Sequence, residues 1–374
     1  MYLANLFLKN FRNYHTLKLE LNKNLNIFIG NNAQGKTNIL EAIYLLSTGN
    51  SHRTNIVSEM TNWQKDKFYI QSKLHKKDQK FKIEVLVEGR KKDIKINSNN
   101  LKRISDLLGY LNVVIFSPED LELVKGSPSK RRKFINLEIS QINSYYHHNL
   151  QEYNQVLKQR NNLLKEIRER NSSKDMLAVW NQQLIELGSK VIIKRLKTLE
   201  KLSILARLMH RKITNGLETL ELIYDSSLNL DDKDYDLEKI KDQFDYKLNN
   251  NQQKEINRGV TCYGPHRDDI ILKVNDIEIR KFGSQGQQRT AALALKLAEL
   301  EFMKSEIGEY PILLLDDVFS ELDNRRQKHL LKVIMNKIQT FITSTKIDKL
   351  DKLKANKNIY KVTEGKVVRV SDNG

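Results

Sequence analysis

One octapeptide, Gly30-Asn31-Asn32-Ala33-Gln34-Gly35-Lys36-Thr37, constrains this chain more than any other stretch. It fits the pattern G-x-x-x-x-G-K-[ST] and has the neighbours that the pattern needs. An apolar run of strand length, Leu25-Asn26-Ile27-Phe28-Ile29, leads into it. A helix-forming run with apolar residues at helical spacing, Ile39 to Leu46, leads out. A strand, a glycine loop and a helix in that order commit the chain to an α/β nucleotide-binding core. The glycines let backbone N–H groups curl around phosphate oxygens, and the new helix aims its positive end at them. Lys36 is expected to reach the β- and γ-phosphates, and the Thr37 hydroxyl to ligate Mg²⁺. A plain glycine turn is the alternative, and the flanking strand and helix argue against it.

Such a loop needs an acidic partner for its metal. Ile312-Leu313-Leu314-Leu315 reads as a strand buried on both faces, and it ends at Asp316-Asp317. Asp316 is expected in the Mg²⁺ shell, with Asp317 orienting or deprotonating the attacking water. Upstream, the small-residue loop Gly283-Ser284-Gln285-Gly286-Gln287-Gln288 opens a long helix expected from Gln285 to about Lys304. It is either a second anion-binding surface or a helix capped by Ser284.

Together these segments resemble the ABC-type ATPases. Ser284, Gln285, Gly286 and Gln287 match the signature motif, Asp316-Asp317 the Walker B pair, and Ser320-Glu321-Leu322-Asp323 the D-loop, with Ser320 and Asp323 its polar ends. In that class the signature loop meets ATP held by a second protomer. Ser284 lies 248 positions after Lys36, and Asp316 only 32 after Ser284. A transporter ATPase, the alternative reading, has a shorter first interval, and SMC proteins have a far longer one filled with coiled coil. The intermediate interval resembles the RecF family. So do Leu8-Lys9-Asn10-Phe11-Arg12-Asn13-Tyr14, the P-loop with Asn38 after Thr37, Ser51-His52-Arg53, Phe116 to Leu121, Gly126 to Arg132 and Tyr263 to Asp269. The resemblance covers residues 3 to about 345.

The resemblance implies an ABC-type ATPase head, a P-loop mixed sheet flanked by helices, split by a mainly helical insertion. The expected boundaries are 1–125 for the first half of the ATPase lobe, 126–257 for the insertion and 258–374 for the second half. It implies ATP and Mg²⁺ as cofactors, and an ATP-dependent homodimer on double-stranded DNA near single-strand/double-strand junctions or gaps. RecO and RecR are the implied partners, in recombinational repair. Two departures from the wider class suggest slow, switch-like hydrolysis. Asp317 stands where Glu is usual, and no histidine follows Phe341-Ile342-Thr343, so Thr343, Ser344 or Thr345 would have to meet the γ-phosphate.

Charge agrees with a polyanionic partner: 64 Lys and Arg stand against 46 Asp and Glu, a net +18. Basic clusters in the insertion supply the DNA candidates Lys130, Arg131, Arg132, Arg195, Arg207 and Arg211; Arg12 and Arg53 lie near the P-loop instead. No base-reading motif is visible, so recognition is expected to follow structure rather than sequence. A lone cysteine, Cys262, leaves no intramolecular disulfide, and no apolar stretch nears the length of a membrane span; both suit a cytoplasmic protein without a membrane partner. In the insertion two apolar stripes, Ile142 to Ile167 and Leu177 to Val191, flank a turn expected at Arg168–Asp175, which gives a helical hairpin.

Overall fold

A computed structural model describes residues 1–370 apart from 55, 171–172, 231–235, 336 and 346–355. The chain divides into two compact units, residues 1–120 with 296–374, and residues 121–295.

The first unit is built on two sheets. The P-loop strand Leu25–Ile29 lies at the centre of a six-stranded sheet whose order is Lys366–Val370, Lys357–Thr363, Leu25–Ile29, Thr340–Ser344, Ile312–Asp316 and Val113–Phe116. The last five run parallel and only the edge strand Lys366–Val370 is antiparallel. Leu313, Leu314 and Leu315 are fully buried, as expected of a strand covered on both faces. A seven-stranded antiparallel sheet holds Asn5–Phe11, Tyr14–Glu20 and the hairpin strands Lys67–Lys76, Gln79–Glu88 and Lys91–Ile96. A hairpin turn at Gly89-Arg90 joins the last two, with Glu88 paired to Lys91. The helix Lys36–Thr48 packs against strands of both sheets, so almost all of its residues from Ile39 onward are buried. It stops at Gly49, whose left-handed backbone (φ 71°) lets its N–H close on Leu45 O at 2.8 Å.

The second unit is mainly helical: Pro128–Ile142, Ser144–Arg170, the 40-residue Asp175–Thr214, Leu237–Asn250 and Gln252–Arg258. The two apolar stripes meet in its core, where Tyr153, Leu184 and Ile192 pack with Phe244 and Leu248. The expected turn between the long helices narrows to residues after Arg170 and before Asp175; Asn171 and Ser172 lie outside the described residues. The strand Leu220–Asp225 was not expected. It pairs antiparallel, residue for residue, with Asp269–Val274, which in turn pairs with Ile277–Glu278. That pairing ties residues after 257 to the helical unit, which therefore extends to Leu295.

Candidate nucleotide site

Both glycines of the P-loop are required by what surrounds them. A Cβ on Gly30 would stand 2.2 Å from Val362 O. Gly35 has φ +109°, and a Cβ there would press within 2.5 to 2.9 Å of the Asn13 and Tyr14 side chains. Those two neighbours fix the loop: the Tyr14 hydroxyl donates to Gly35 O at 3.0 Å, and Asn13 Nδ2 to Gln34 O at 3.0 Å. Asn38 Nδ2 donates to Asn13 Oδ1 at 2.8 Å. From the far end of the chain, Glu364 N–H donates to Gln34 Oε1 at 2.6 Å and Gly365 N–H to Gln34 O at 3.3 Å. With carbonyls turned into the protein, the loop is shaped to turn N–H groups outward. Asn31, Asn32 and Ala33 form its crest, Ala33 in the left-handed region.

Lys36 is only 7% exposed, and its ammonium donates to Gly30 O (2.7 Å) and Asn31 O (2.8 Å). Burial lowers its pKa, opposed by the charges of Asp317 and Asp316. Strand order supplies the acidic side. Thr340–Ser344 lies between the P-loop strand and Ile312–Asp316, in a register that pairs Thr343 with both Phe28 and Asp316. Thr37 Oγ1 donates to Asp316 Oδ1 at 2.8 Å, and Thr343 Oγ1 donates to the same oxygen at 2.7 Å. The Asp317 N–H donates in turn to Thr343 Oγ1 at 2.9 Å, and Asp317 takes a left-handed backbone, φ 52°. The structure thus narrows one expectation. Thr343 is fully buried beneath the carboxylates and occupied by them, so among the three candidates it is a support for Asp316 and Asp317 rather than a group facing the γ-phosphate.

A carboxylate and a hydroxyl 2.8 Å apart, both hard oxygen donors, fit Mg²⁺. The described residues hold no cluster of three or more His, Cys, Asp or Glu side chains, so a cation here would take its other ligands from phosphate and water, as Mg²⁺ commonly does.

A second polar group backs the P-loop helix. Arg12 grips Glu41 with two hydrogen bonds, 2.6 and 2.9 Å; Ser51 donates to Glu41 at 2.5 Å, and Arg53 reaches both Asn38 (2.9 Å) and Glu41 (3.4 Å). Burial pushes the Glu41 carboxyl up, but the bonds from Arg12 and Ser51 and the two positive charges outweigh it and hold the pKa below the usual value. Asn13, Tyr14, Glu41 and Gln34's partner Glu364 were not singled out in the sequence as loop supports. Their signal was indirect: Arg12, Asn13 and Tyr14 sit in a stretch noted only for its resemblance.

In the second unit Ser284 and Gln287 form a reciprocal cap. Gln287 N–H donates to Ser284 Oγ at 3.2 Å, and Ser284 N–H to Gln287 Oε1 at 3.0 Å. Ser284, Gln285 and Gly286 are exposed at the start of the helix Gln285–Ile307. Back in the first unit, the exposed Ser320 hydroxyl donates to Asp317 O at 2.6 Å, and Asp323 caps Asn324–Ile334 by accepting from Arg326 N–H at 2.8 Å.

The basic candidates divide. Arg131 (3% exposed) makes a two-pronged ion pair with Asp269 at 2.7 and 2.8 Å. Arg195 (2% exposed) donates to Asn136, Tyr146 and Pro265 O. Both are internal, which removes them from the DNA-facing set. Arg132 is half-buried and donates to Asp268 O at 2.7 Å, whereas Lys130, Arg207 and Arg211 are exposed, Arg207 3.2 Å from Glu221.

Residues 2–368 match the family model described as the RecF/RecN/SMC N terminal domain. The chain is 51% identical over 371 residues to the DNA replication and repair protein RecF of Halothermothrix orenii, covering 99% of each. It is 46% identical to the RecF of Enterococcus faecalis, covering 99% of this chain and 100% of that one. A solved structure of the recombination mediator protein RecF-ATP in the RecFOR pathway superposes with a TM-score of 0.93 at 39% identity, over 99% of this chain and 98% of that one. An Smc head domain from Pyrococcus furiosus, 18% identical, superposes at 0.56 over 99% of this chain and 96% of that one, a likeness of fold.

Proposed function

Because this chain belongs to the RecF family of DNA replication and repair proteins, with the fold of an ABC-type ATPase head, we propose that it is an ATP-gated clamp on duplex DNA near single-strand gaps. In this reading Lys36 and the loop amides hold the ATP phosphates. Thr37 and Asp316 hold Mg²⁺, which when bound neutralises developing phosphate charge. Asp317 orients the attacking water. Its short side chain keeps that water at arm's length, and turnover is slow.

The exposed Ser284 loop supports dimerisation, because an exposed helix start that carries a serine hydroxyl can complete a phosphate site on a second copy. RecO and RecR remain the partners that the family suggests. The observation that carries the reading is the convergence of Thr37 and Thr343 on one oxygen of Asp316 beside a P-loop clamped on both sides. No helix of the described residues is long and apolar enough to cross a membrane, and the site has no feature that calls for a transporter.

Sedimentation velocity at moderate salt tests the proposal, with and without Mg-ATP and with and without a short gapped duplex. A monomer that becomes a DNA-bound dimer only with Mg-ATP is the expected result. Binding to DNA that ignores nucleotide overturns the gating.

A further inference from the structure

Trp63 has no place in the nucleotide site, yet it is the most exposed large apolar side chain among the described residues, at 89%. It is not on a loose strand of chain. Lys65 N–H closes on Asn62 O at 3.1 Å, making a turn with Trp63 second and Gln64 third, the latter in the left-handed region at φ 63°. Asn62 anchors this turn to the antiparallel sheet: its N–H donates to Asn10 O at 2.8 Å and its Nδ2 to Arg12 O at 2.7 Å. Arg12 N–H donates to Met60 O at 2.7 Å. The indole borders a concavity of about 1090 Å³ also lined by Arg12, Ile56, Gln64, Lys65 and Arg90.

The segment that carries it is rich in cations. Residues 61–103, which carry the turn and the hairpin strands, hold thirteen Lys and Arg against five Asp and Glu. This stretch alone supplies +8 of the chain's +18, with Lys65, Lys67, Lys73, Lys77, Lys80 and Arg90 all exposed. A flat ring held outward on a turn that leads into cation-rich strands is the chemistry of a base-stacking platform beside a phosphate-tracking surface. The rim itself is mixed: Arg12, Lys65 and Arg90 stand beside Glu59 and Asp66, and Ile56 and Val57 are its apolar part, so the excess of cations belongs to the segment as a whole rather than to the rim.

We propose that Trp63 stacks on an unpaired nucleobase where single-stranded and duplex DNA meet, while the neighbouring lysines and arginines of the antiparallel sheet track the backbone. In a closed duplex the base faces are covered by their neighbours and a ring can enter only at the cost of unstacking them, so it discriminates a boundary rather than a sequence. This rests on the DNA-binding reading above and adds to it the element that senses the junction.

The test measures binding with Mg-ATP to two relaxed duplex circles of equal length, one gapped and one covalently closed. Trp63→Ala is expected to weaken the gapped duplex about ten-fold and to leave the closed duplex within about two-fold, with Trp63→Phe recovering most of the loss. In a Trp180→Phe background, where Trp63 is the sole indole, its emission should quench with the gapped duplex and stay unchanged with the closed one. Equal loss on both duplexes overturns the proposal. So does wild-type affinity of Trp63→Ala for the gapped duplex, which would assign the ring to a protein contact instead. A wild-type protein that binds neither duplex overturns the DNA reading itself, and the two failures are thereby separable.

Discussion

Thr343 shows how strand order sorts residues that a sequence leaves as alternatives. It is one of three candidates, with Ser344 and Thr345, for the group that meets the γ-phosphate. The parallel register sets it directly beside Asp316, where its hydroxyl both donates to that carboxylate and accepts from Asp317 N–H. It therefore orients groups proposed to act on metal and water. Thr343→Val keeps the shape and removes both bonds, so ATP turnover should fall about 10- to 100-fold, with nucleotide affinity changed by far less; single-turnover kinetics with a separate binding titration checks this. Lys36→Arg should likewise retain nucleotide binding and lose turnover, because a broader planar cation cannot reproduce the contacts to Gly30 O and Asn31 O. The P-loop, Asp316 and Asp317 were legible because each is a local pattern. Asn13, Tyr14 and Glu364 were not, since they reach the loop only through folded geometry.

At the scale of elements, helical periodicity explains which basic residues face inward. Consecutive residues on a helix turn by about 100°, so a run such as Lys130-Arg131-Arg132-Lys133 cannot share one face. Arg131 turns in to Asp269 while Lys130 and Lys133 turn out. A count of charges sees the cluster and not its partition. The strand Leu220–Asp225 escaped notice for a related reason: its partner lies about fifty residues on, and its neighbours read as helix.

The segment Tyr263 to Asp269 also has a testable property. His266 Nε2 lies 3.1 Å from Thr261 O and Nδ1 2.6 Å from the Tyr153 hydroxyl, so a neutral ring donates from Nε2 and accepts at Nδ1. Burial lowers its pKa to about 4, helped by nearby arginines. The folded protein keeps this ring neutral where the unfolded chain takes up a proton, so its contribution to stability is intact above pH 6.5 and is lost as pH falls towards 4. The loss reaches about 3 kcal/mol. Denaturant unfolding across that range should show a slope that His266→Gln flattens.

For the whole molecule, the proposed clamp depends on the signature loop being available to another copy. Ser284→Arg places a long cation at that exposed helix start without touching Lys36 or Asp316. Mg-ATP should still bind, and the ATP-dependent dimer should vanish in sedimentation velocity. A dimer that persists would remove the sandwich from the proposal. The order of motifs along the sequence implies the split architecture, whereas the place of residues 258–295 in the helical unit follows from contacts such as the pairing of Leu220–Asp225 with Asp269–Val274.

The clamp on Gln34 has a consequence for how the protein is made. The backbone N–H groups of Glu364 and Gly365 and the carbonyl of Val362, which shape the P-loop, lie some 330 residues further along the chain. At ordinary rates of translation the ribosome needs roughly 15 to 65 s to travel that distance. The nascent chain displays its nucleotide motif throughout that interval without the strand that completes it. The loop gains these contacts only after residues 362–365 have been made.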